Sequence, residues 1–473
     1  MANLACLLKK RGYSISGSDL DTFGPSAVLL KKHGIKYFKD HSPNHIKKFK
    51  PDIVVIGNAI QRGNPGLEYV LNRRIPYQSM PEIIKTTLLN KKRPIVITGT
   101  SGKTTTTALV TWILHHSDFK PTALVGGIMN NFGSGFLNGT GPYIVIEGDE
   151  YNSSFYDSSP KFIHYSPYIG VVNNIQPDHL DIYGSLDELM KAFQKLPRLI
   201  PEKGLLVLNA KDKNSLSLKN VSHSRVETFG QGGSVAAKNI RYHENGISFD
   251  LIIGSRSKAS GNTDNTYTSR SLASGSIGTV TSRLLGKHNV ENILAASAVA
   301  LNIGISFKKL AKAIETFKGV KRRLEIIYKK QGVTIIDDFA HNPDKVLASL
   351  SALRDHFQKH KIIAIFEPRT ASSRRKFFQD AYPASFKPAD IVYIAEPYKK
   401  HALNKKEVFS SKKLVSDLNK KGTEAYSLKT VDAILAHVKH RMFNKPANQS
   451  VIIIVMTSGD FDGIHQKLIN LVS

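Results

Sequence analysis

Continuous apolar runs bounded by turn-forming residues recur along the chain, and they constrain its fold more than any other feature of the sequence. They lie at residues 52–57, 94–99, 143–147, 169–175, 204–209, 333–337, 361–366, 390–395 and 451–456. Continuous rather than alternating hydrophobicity is typical of strands that are covered on both faces in parallel sheets. Helical patterns, for example at residues 104–116 and 290–301, lie between many of the runs. The alternation of strands and helices predicts an α/β fold.

The chain length and two seams in this pattern predict three domains. At roughly 150 residues per domain, 473 residues are enough for about three. A charged link at residues 90–93 precedes a new strand, and a basic link at residues 317–323 follows a helix. The expected domains are therefore residues 1–90, 91–318 and 319–473. Inside the second domain, residues 254–282 are rich in Ser, Thr, Gly and Asn, which predicts a mobile surface insertion.

The composition is typical of an ordinary globular protein. Hydrophobic residues make up 41% of the chain and charged residues 22%, which argues against disorder, collagen-like repeats and coiled coil. Because no apolar run approaches the roughly 18 residues that cross a bilayer, we expect no stable membrane insertion. The single cysteine, Cys6, cannot form an intrachain disulfide, and the N-terminal residues lack the order of a secretory signal. We expect a cytoplasmic protein.

The net charge of +28 is less ordinary, because such a field attracts nucleic acid, anionic membranes or phosphorylated small molecules. The lysines, however, lie in short scattered clusters without zinc-finger spacing or an aromatic RNA-binding signature beside them. This distribution favours a solvated basic surface with local phosphate sites over a nucleic-acid groove. We therefore expect no nucleic-acid partner.

A strand runs through a glycine-containing turn into a helix at residues 95–105, and this stretch is the most informative in the sequence. Glycines let backbone N–H groups close around phosphate oxygens, while Lys103 can reach the β- and γ-phosphates and the Thr104 hydroxyl can bind Mg²⁺. Ile97 stands where the full phosphate-loop pattern has its first glycine. The stretch still predicts a nucleoside triphosphate site. Its residues are Gly99, Thr100, Ser101, Gly102, Lys103, Thr104 and Thr105.

Acidic residues and a histidine follow two neighbouring predicted strands. The strand at residues 143–146 ends in Glu147, and the strand at residues 169–175 leads to His179. Parallel strands bring their carboxyl ends to the same crevice, and Mg²⁺ prefers oxygen ligands. Glu147 is therefore a candidate Mg²⁺ ligand, and His179 is a candidate second-metal ligand or phosphate contact.

Five motifs, in this order along nearly the whole chain, carry a family resemblance: 99–105 (GTSGKTT), Glu147 with Asp149 and Glu150, Asn174 with Asp178 and His179, 286–292 (GKHNVEN), and 337–343 (DDFAHNP). In order and spacing they resemble the motifs of the Mur ligases. The resemblance implies an N-terminal Rossmann-like domain that binds a UDP-sugar and a central P-loop ATPase domain with a mainly parallel sheet. It also implies a C-terminal Rossmann-like domain that presents the incoming amine.

The resemblance further implies an ATP-dependent, ADP-forming ligase of peptidoglycan metabolism. ATP would transfer its γ-phosphoryl group to a carboxylate, and an amine would attack the resulting acyl phosphate. Residues 150–157, 160–165, 367–370 and 458–467 look most like the branch that recycles murein peptides. That branch joins UDP-N-acetylmuramate to the tripeptide L-Ala-γ-D-Glu-meso-diaminopimelate. The alternative within the family is the ligase that adds L-alanine to the same nucleotide sugar.

The same resemblance assigns roles at the phosphate loop. Lys103 and Gly102 would hold the β- and γ-phosphates of ATP. Thr104 and Glu147 would bind one Mg²⁺, and His179 would lie near a second metal ion. Lys103, Glu147 and His179 are thus the expected catalytic residues.

Four further residues would bind ATP, by resemblance. Asn292 would contact adenine with His288 nearby, while Arg322 and Asp338 would reach an ATP phosphate and the ribose. A strand-end turn is the ordinary structural explanation for Asp338. Closure of the third domain would then be part of assembling the site.

Substrate contacts are expected at the ends of three strands. Arg369 follows the strand at residues 362–366, where its guanidinium could clamp a peptide carboxylate, although Arg374 and Arg375 are equally available. Asp19 suits a uridine contact, and Asn58 lies where it could line the same cleft.

The chain departs from the family pattern at its N-terminus, and two alternative functions were considered. The family has a strand and a glycine-rich turn before its first helix, whereas a helical pattern already begins at Met1, so we expect ~10 to 20 residues to be missing. Folylpolyglutamate synthetase shares the central ATPase plan, but the ~90 residues before the phosphate loop argue against it. From another class, the chain could be a nucleotide-binding module that is inactive through the loss of its first strand. The sequence does not determine the oligomeric state.

Overall fold

The structure is a computed structural model that describes residues 1–20, 24–176, 183–254, 275–370, 372–399, 407–443, 446 and 448–473. Contacts divide the chain into two compact units. The first unit comprises Met1–Ile240, Ser248–Ser282 and Asn289–Gly319, and the second comprises Arg241–Ile247, Arg283–His288 and Val320–Ser473. The boundaries of the three expected domains stay predictions.

The first ninety residues form short parallel strand pairs with helices between them. The elements are α1 (Ala2–Lys10), β1 (Ser16–Ser18), α2 (Gly24–Lys32), β2 (Lys36–Phe38), α3 (Pro43–Phe49), β3 (Val54–Ile56), α4 (Pro65–Asn72), β4 (Tyr77–Ser79) and α5 (Met80–Leu88). Strand β1 pairs with β2, and β3 pairs with β4, both in parallel. Leu4, Leu7 and Leu8 are buried on one face of α1, as its periodicity predicts.

A ten-stranded sheet dominates the rest of the first unit. The elements of this part of the chain begin with β5 (Arg93–Thr98), α6 (Lys103–His116), β6 (Thr122–Met129), β7 (Ser134–Leu137), β8 (Tyr143–Glu147), β9 (Asn152–Ser154), β10 (Asp157–Pro160) and β11 (Ile169–Val172). They continue with α7 (Leu186–Phe193), α8 (Lys195–Leu199), β12 (Leu205–Asn209), α9 (Lys213–Ser217), β13 (Arg225–Phe229), β14 (Val235–His243), β15 (Gly246–Ile253), β16 (Gly275–Ser282), α10 (Lys287–Ile303) and α11 (Phe307–Thr316).

The order of strands in this sheet is β16-β15-β14-β13-β12-β11-β5-β8-β6-β7, and β9 pairs with β10 in a separate hairpin. Strand β5 lies between β8 and β11, parallel to both. The carboxyl ends of β5, β8 and β11 therefore meet at one edge of the sheet. This is the arrangement that the continuous apolar runs predict, because both faces of these strands are buried.

The prediction of a mobile surface insertion at residues 254–282 was wrong for residues 275–282. Residues 255–274 lie outside the described residues, but Gly275–Ser282 forms the edge strand β16. Ile277, Thr279 and Val280 are β-branched, and Val280 is fully buried, so a polar composition did not prevent strand pairing.

The second unit contains a six-stranded sheet. Its elements are β17 (Glu325–Lys330), β18 (Val333–Asp338), α12 (Pro343–His356), β19 (Lys361–Phe366), α13 (Tyr382–Ser385), β20 (Ile391–Ala395), α14 (Ser411–Lys420), β21 (Glu424–Leu428), α15 (Val431–Phe443), β22 (Val451–Met456) and α16 (Ile464–Val472). The order is β17-β18-β22-β19-β20-β21, with β17 antiparallel and the other pairs parallel.

Apolar clusters cover both faces of this second sheet. Phe357, Phe366 and Leu414 belong to the cluster on one face, and Ile434 and Leu468 belong to the cluster on the other. Helices on both faces of a mainly parallel sheet confirm the predicted α/β fold class. Among the residues that the structure describes, no helix is both long and apolar enough to span a membrane.

Candidate active site

The turn between β5 and α6 requires glycine at two positions. Gly99 has φ +120°, and a Cβ atom there would lie 2.9 Å from the carbonyl oxygen of Asn174. Gly102 has φ +83°, and a Cβ atom there would clash with Oδ1 of Asn292. Both positive φ angles and both close approaches exclude larger residues. The turn ends at Gly102, and α6 begins at the next residue, Lys103.

Residues after β11 hold this turn in place. The Asn174 side chain accepts a hydrogen bond from the Ser101 backbone N–H at 2.9 Å, and its carbonyl accepts one from the Thr100 N–H at 3.0 Å. The Asn173 side chain donates to the Ser101 carbonyl at 3.3 Å. Since β11 is the direct neighbour of β5, the sheet itself positions the residues that shape the turn.

The Lys103 ammonium lies in a nearly closed environment. It donates to the Gly99 carbonyl at 2.6 Å and to the two carboxylate oxygens of Glu150 at 2.9 and 3.2 Å. Burial by itself would lower the pKa of Lys103, but Glu150, Asp149 and Glu147 raise it above its ordinary value. Lys103 therefore carries its positive charge in this site.

The structure brings Thr104 and Glu147 together, as the sequence predicts. The Thr104 hydroxyl donates to Oε2 of Glu147 at 3.1 Å, and the Gly126 backbone N–H donates to Oε1. Burial and the neighbouring Asp149 raise the pKa of Glu147. A hydroxyl and a carboxylate in contact beside a phosphate-loop lysine form a pair of oxygen donors of the kind that Mg²⁺ prefers.

A second buried ion pair adjoins the first. Lys161, which follows β10, donates to Oδ2 of Asp149 at 2.9 Å, and its ammonium lies 4.2 Å from the centre of the Tyr151 ring. Burial raises the pKa of Asp149, but Lys161 and Lys103 outweigh burial and lower it. Asp149 is thus held as a carboxylate.

Of two further residues predicted at this edge, the structure describes Asn292 but not His179. His179 lies outside the described residues, so its expected metal role stays a prediction. Asn292 lies on α10, and its Oδ1 accepts a hydrogen bond from the Thr106 hydroxyl at 3.2 Å, directly beside the turn. Among the residues that the structure describes, no group of three or more His, Cys, Asp or Glu is arranged to hold a metal ion.

The other predicted ATP contacts belong to the second unit, where they make local contacts. Arg322 donates to the carbonyl oxygens of Thr457 and Gly459, the latter at 3.0 Å. Asp338 accepts hydrogen bonds from the backbone N–H groups of Leu324 and Ala340, both at 2.8 Å. His288, also in the second unit, is exposed. Their roles toward ATP stay predictions.

Arg369 lies at the carboxyl end of β19 and is held on two sides. Its guanidinium stacks on the Tyr398 ring, with 3.7 Å between its central carbon and the ring centre, and it donates to Glu367 at 3.2 Å. The hydroxyl of Thr457 also donates to Glu367, whose pKa burial raises. Arg374 lies nearby and donates to the Tyr398 carbonyl at 3.2 Å, so the structure leaves both arginines as candidates for a carboxylate contact.

The two remaining predicted substrate contacts lie in the first ninety residues. Asp19 directly follows β1, and its backbone N–H donates to the Phe38 carbonyl at 2.9 Å. Asn58 lies two residues beyond the end of β3. Both residues are exposed.

The sequence interpretation did not assign roles to Glu150, Lys161 or Asn173. Glu150 belongs to the acidic segment after β8 that was considered as a source of a Mg²⁺ ligand, whereas Lys161 stands in a segment that was noticed only for its family resemblance. A signal for Glu150 was present, because it follows Glu147 and Asp149 at the end of the same strand. Nothing in the spacing marks Lys161 as a partner of Asp149, since a hairpin separates the two.

Comparison with known families identifies the class of protein. The model of the Mur ligase family catalytic domain matches residues 1–92, that of the Mur ligase middle domain matches residues 97–300, and that of the Mur ligase glutamate ligase domain matches residues 322–459. The chain belongs to the Mur ligase family, and it is an ATP-dependent ligase of peptidoglycan metabolism with the three-domain architecture of that family.

Individual relatives carry two different names. The chain is 32% identical over 473 residues to the UDP-N-acetylmuramate–L-alanyl-γ-D-glutamyl-meso-2,6-diaminoheptandioate ligase of Haemophilus influenzae, covering 99% of this chain and 96% of the relative. It is 34% identical over 464 residues to the UDP-N-acetylmuramate–L-alanine ligase of Clostridium acetobutylicum, covering 97% and 93%. The crystal structure of the UDP-N-acetylmuramate–alanine ligase of Thermotoga maritima matches with a TM-score of 0.78 at 25% identity, covering 99% and 96%.

Proposed function

We propose that this ligase joins the carboxylate of UDP-N-acetylmuramate to the amine of L-Ala-γ-D-Glu-meso-diaminopimelate, with ATP as the source of energy. The observation that supports ATP as a substrate is the convergence of Lys103, Thr104 and Glu147 at the carboxyl edge of the ten-stranded sheet. The similarity to the ligase of Haemophilus influenzae over 99% of the chain supports the tripeptide as the amine donor.

The chemistry follows from what the residues can do. A carboxylate acylates an amine poorly, so it must first receive the γ-phosphoryl group of ATP and become an acyl phosphate. The N–H groups of the turn after β5 and the Lys103 ammonium would neutralise the phosphate oxygens during this transfer. The peptide amine would then displace phosphate through a tetrahedral intermediate.

The residues around Glu147 fit a divalent cation. Lys103 pairs with Glu150 and Lys161 pairs with Asp149, whereas Glu147 is bound by the Thr104 hydroxyl and the Gly126 N–H. Thr104 and Glu147 would hold Mg²⁺, and the metal would supply charge neutralisation at the phosphates. His179 remains the proposed ligand for a second ion.

The proposed substrate contacts are those that the family resemblance implies. Asp19 and Asn58 would contact the nucleotide sugar, Asn292 and His288 would contact adenine, and Arg369 would hold a carboxylate of the peptide. Arg322 and Asp338 would contact an ATP phosphate and the ribose. An arginine that is stacked on Tyr398 has a fixed plane, which suits the planar carboxylate of a peptide.

Ligation of free L-alanine is the second candidate function. The 34% identity to the enzyme of Clostridium acetobutylicum and the TM-score of 0.78 to that of Thermotoga maritima favour it. The two candidates share ATP, Mg²⁺ and UDP-N-acetylmuramate and differ only in the incoming amine.

A direct assay separates the candidates. The full chain is incubated with Mg²⁺-ATP and UDP-N-acetylmuramate plus either the tripeptide or L-alanine, and ADP release and product mass are measured. We expect ADP and a ligated product with the tripeptide, and neither when UDP-N-acetylmuramate is omitted. Product from L-alanine alone would instead establish the second candidate, and ATP binding without ligation of either amine would favour an inactive nucleotide-binding module.

A further inference from the structure

The carboxylate of Glu150 uses both of its oxygens to bind the Lys103 ammonium, at 2.9 and 3.2 Å. The ion pair is almost completely shielded, since the side chains of Lys103 and Glu150 are only 13% and 2% exposed. An ammonium group has three N–H donors. In this structure they serve the Gly99 carbonyl and the two Glu150 oxygens, so a phosphate can bind Lys103 only by replacing one of these partners.

Contacts that do not involve Lys103 fix the position of Glu150. The hydroxyl of Tyr183 donates to the Glu150 carbonyl. The preceding residue, Asp149, is bound to Lys161 twice, through its side chain at 2.9 Å and through its carbonyl and the Lys161 backbone N–H at 3.0 Å. Lys161 in turn lies over the ring of Tyr151, the following residue. The segment that carries Glu150 is therefore anchored on both sides of it.

Glu150 and a nucleotide phosphate are both anions, so they would compete strongly for the Lys103 ammonium. A triphosphate brings negative charge to the same ammonium that Glu150 already neutralises, and the two anions would face each other at short range in a site with little water. Either Glu150 gives up part of its contact with Lys103, or the phosphates bind next to an uncompensated carboxylate. Both routes cost affinity for the nucleotide, and both make the departure of ADP easier.

We propose that Glu150 is a positioning residue that competes with nucleotide phosphates for Lys103, so that Lys103 exchanges one anion for another during each catalytic cycle. The pair of Asp149 and Lys161 keeps Glu150 at the distance from which this exchange takes place. This inference rests on the proposed function, in which Lys103 binds the phosphates of ATP.

The test compares nucleotide binding to the wild-type chain and to Glu150→Gln, which keeps the shape of the side chain and one acceptor oxygen but removes the charge. The dissociation constants of ADP and of a non-hydrolysable ATP analogue are measured by isothermal titration calorimetry, with and without Mg²⁺. We expect Glu150→Gln to bind ADP about tenfold more tightly in the absence of Mg²⁺ and to release it more slowly. A purely structural glutamate would give the opposite sign, because its loss would loosen the turn.

Two further variants complete the design. Glu315→Gln removes the charge of an exposed ion pair with Lys312 in the same unit, and it should leave the dissociation constants unchanged. Glu150→Asp keeps the charge but withdraws the carboxylate by one methylene, and it should tighten binding by a smaller factor. It also serves as the test if Glu150→Gln does not fold.

The possible failures are distinguishable. If the wild-type chain binds neither nucleotide, the proposed function fails and this inference fails with it. If the wild-type chain binds but Glu150→Gln binds equally or more weakly, only the inference is overturned. A loss of affinity that appears only with Mg²⁺ also overturns it, because Glu150 would then act as a metal ligand.

Discussion

The carboxyl edges of the two sheets use different cations. The lysine edge, at the ends of β5 and β8, is built from Lys103, Lys161, Glu147, Asp149 and Glu150. The arginine edge, at the ends of β18, β22 and β19, is built around Arg322 and Arg369, whose partners are Asp337 and Glu367 together with backbone carbonyls. Both edges neutralise buried or half-buried cations with carboxylates of the same unit.

The difference lies in how freely the cation can change partners. An ammonium is a point charge with three equivalent donors, so it can exchange one oxygen for another without reorienting. A guanidinium is a planar fork. Arg369 is stacked on Tyr398, and Arg322 is bound to two carbonyl groups, so each has one orientation. The lysine edge therefore suits exchange of anions, whereas the arginine edge suits recognition of a fixed shape.

Removal of the lysine from the lysine edge should have the largest effect. We expect Lys103→Met to lower kcat/KM about 1,000-fold, because the charge that neutralises the phosphates is lost. It should also lower the free energy of unfolding by about 3 kcal/mol, since the buried carboxylate of Glu150 loses its ion pair with Lys103. ADP release and urea denaturation measure the two effects.

The double variant Lys103→Met/Glu150→Gln is the matched control for that prediction. It should recover most of the lost stability while activity stays low. If the double variant were as unstable as the single variant, the Lys103–Glu150 pair would not be a coupled buried pair.

Glu147→Gln should have the next largest effect. Replacing one oxygen donor and the negative charge should lower kcat/KM about 100-fold and raise the Mg²⁺ concentration needed for half-maximal rate. Mg²⁺ titrations of ADP release check this, with Glu315→Gln as the control. An unchanged Mg²⁺ requirement would exclude Glu147 as the metal ligand.

Arg369→Lys tests the arginine edge. Because an ammonium cannot reproduce the stacked fork, we expect the KM for the tripeptide to rise about tenfold while the KM for ATP stays the same. Steady-state kinetics with each substrate varied in turn measure both constants. Arg374→Lys is the natural companion, and a larger effect there would transfer the carboxylate contact to Arg374.

The smallest effect is a pH dependence of stability in the second unit. His356 is buried, and its Nε2 accepts a hydrogen bond from the Gly286 N–H at 2.9 Å while its Nδ1 bonds to the His243 carbonyl. Burial lowers the pKa of His356 below its ordinary value, despite the opposing effects of the His243 carbonyl and Asp355.

The direction in which stability changes with pH follows from proton uptake by His356. Between the unfolded pKa of about 6.5 and the lower folded pKa, only the unfolded chain is protonated at His356, so stability is lost as pH falls through this window. One proton contributes at most about 1.4 kcal/mol per pH unit. Urea denaturation between pH 7.5 and 5 measures the slope, which should be flatter in His356→Asn. Equal slopes would show that His356 does not titrate differently in the two states.

Much of the fold could be predicted from local pattern. The strand at residues 451–456 was predicted with its observed bounds, because a strand buried on both faces must be apolar throughout. The edge strand β16 was missed, because an edge strand needs backbone pairing more than apolar side chains. At the site, the contact between Thr104 and Glu147 could be predicted since parallel neighbours end at the same edge.

The glycine-containing turn after a buried strand could be predicted from the sequence alone, because Gly99, Gly102 and Lys103 are close along the chain and their chemistry is local. The contact between Lys103 and Glu150, in contrast, depends on tertiary structure. Glu150 lies 47 residues further along the chain than Lys103, and Lys161 lies beyond the next hairpin. Spacing in a sequence cannot encode such a contact, because it depends on how the loops after neighbouring strands fold back over the sheet edge.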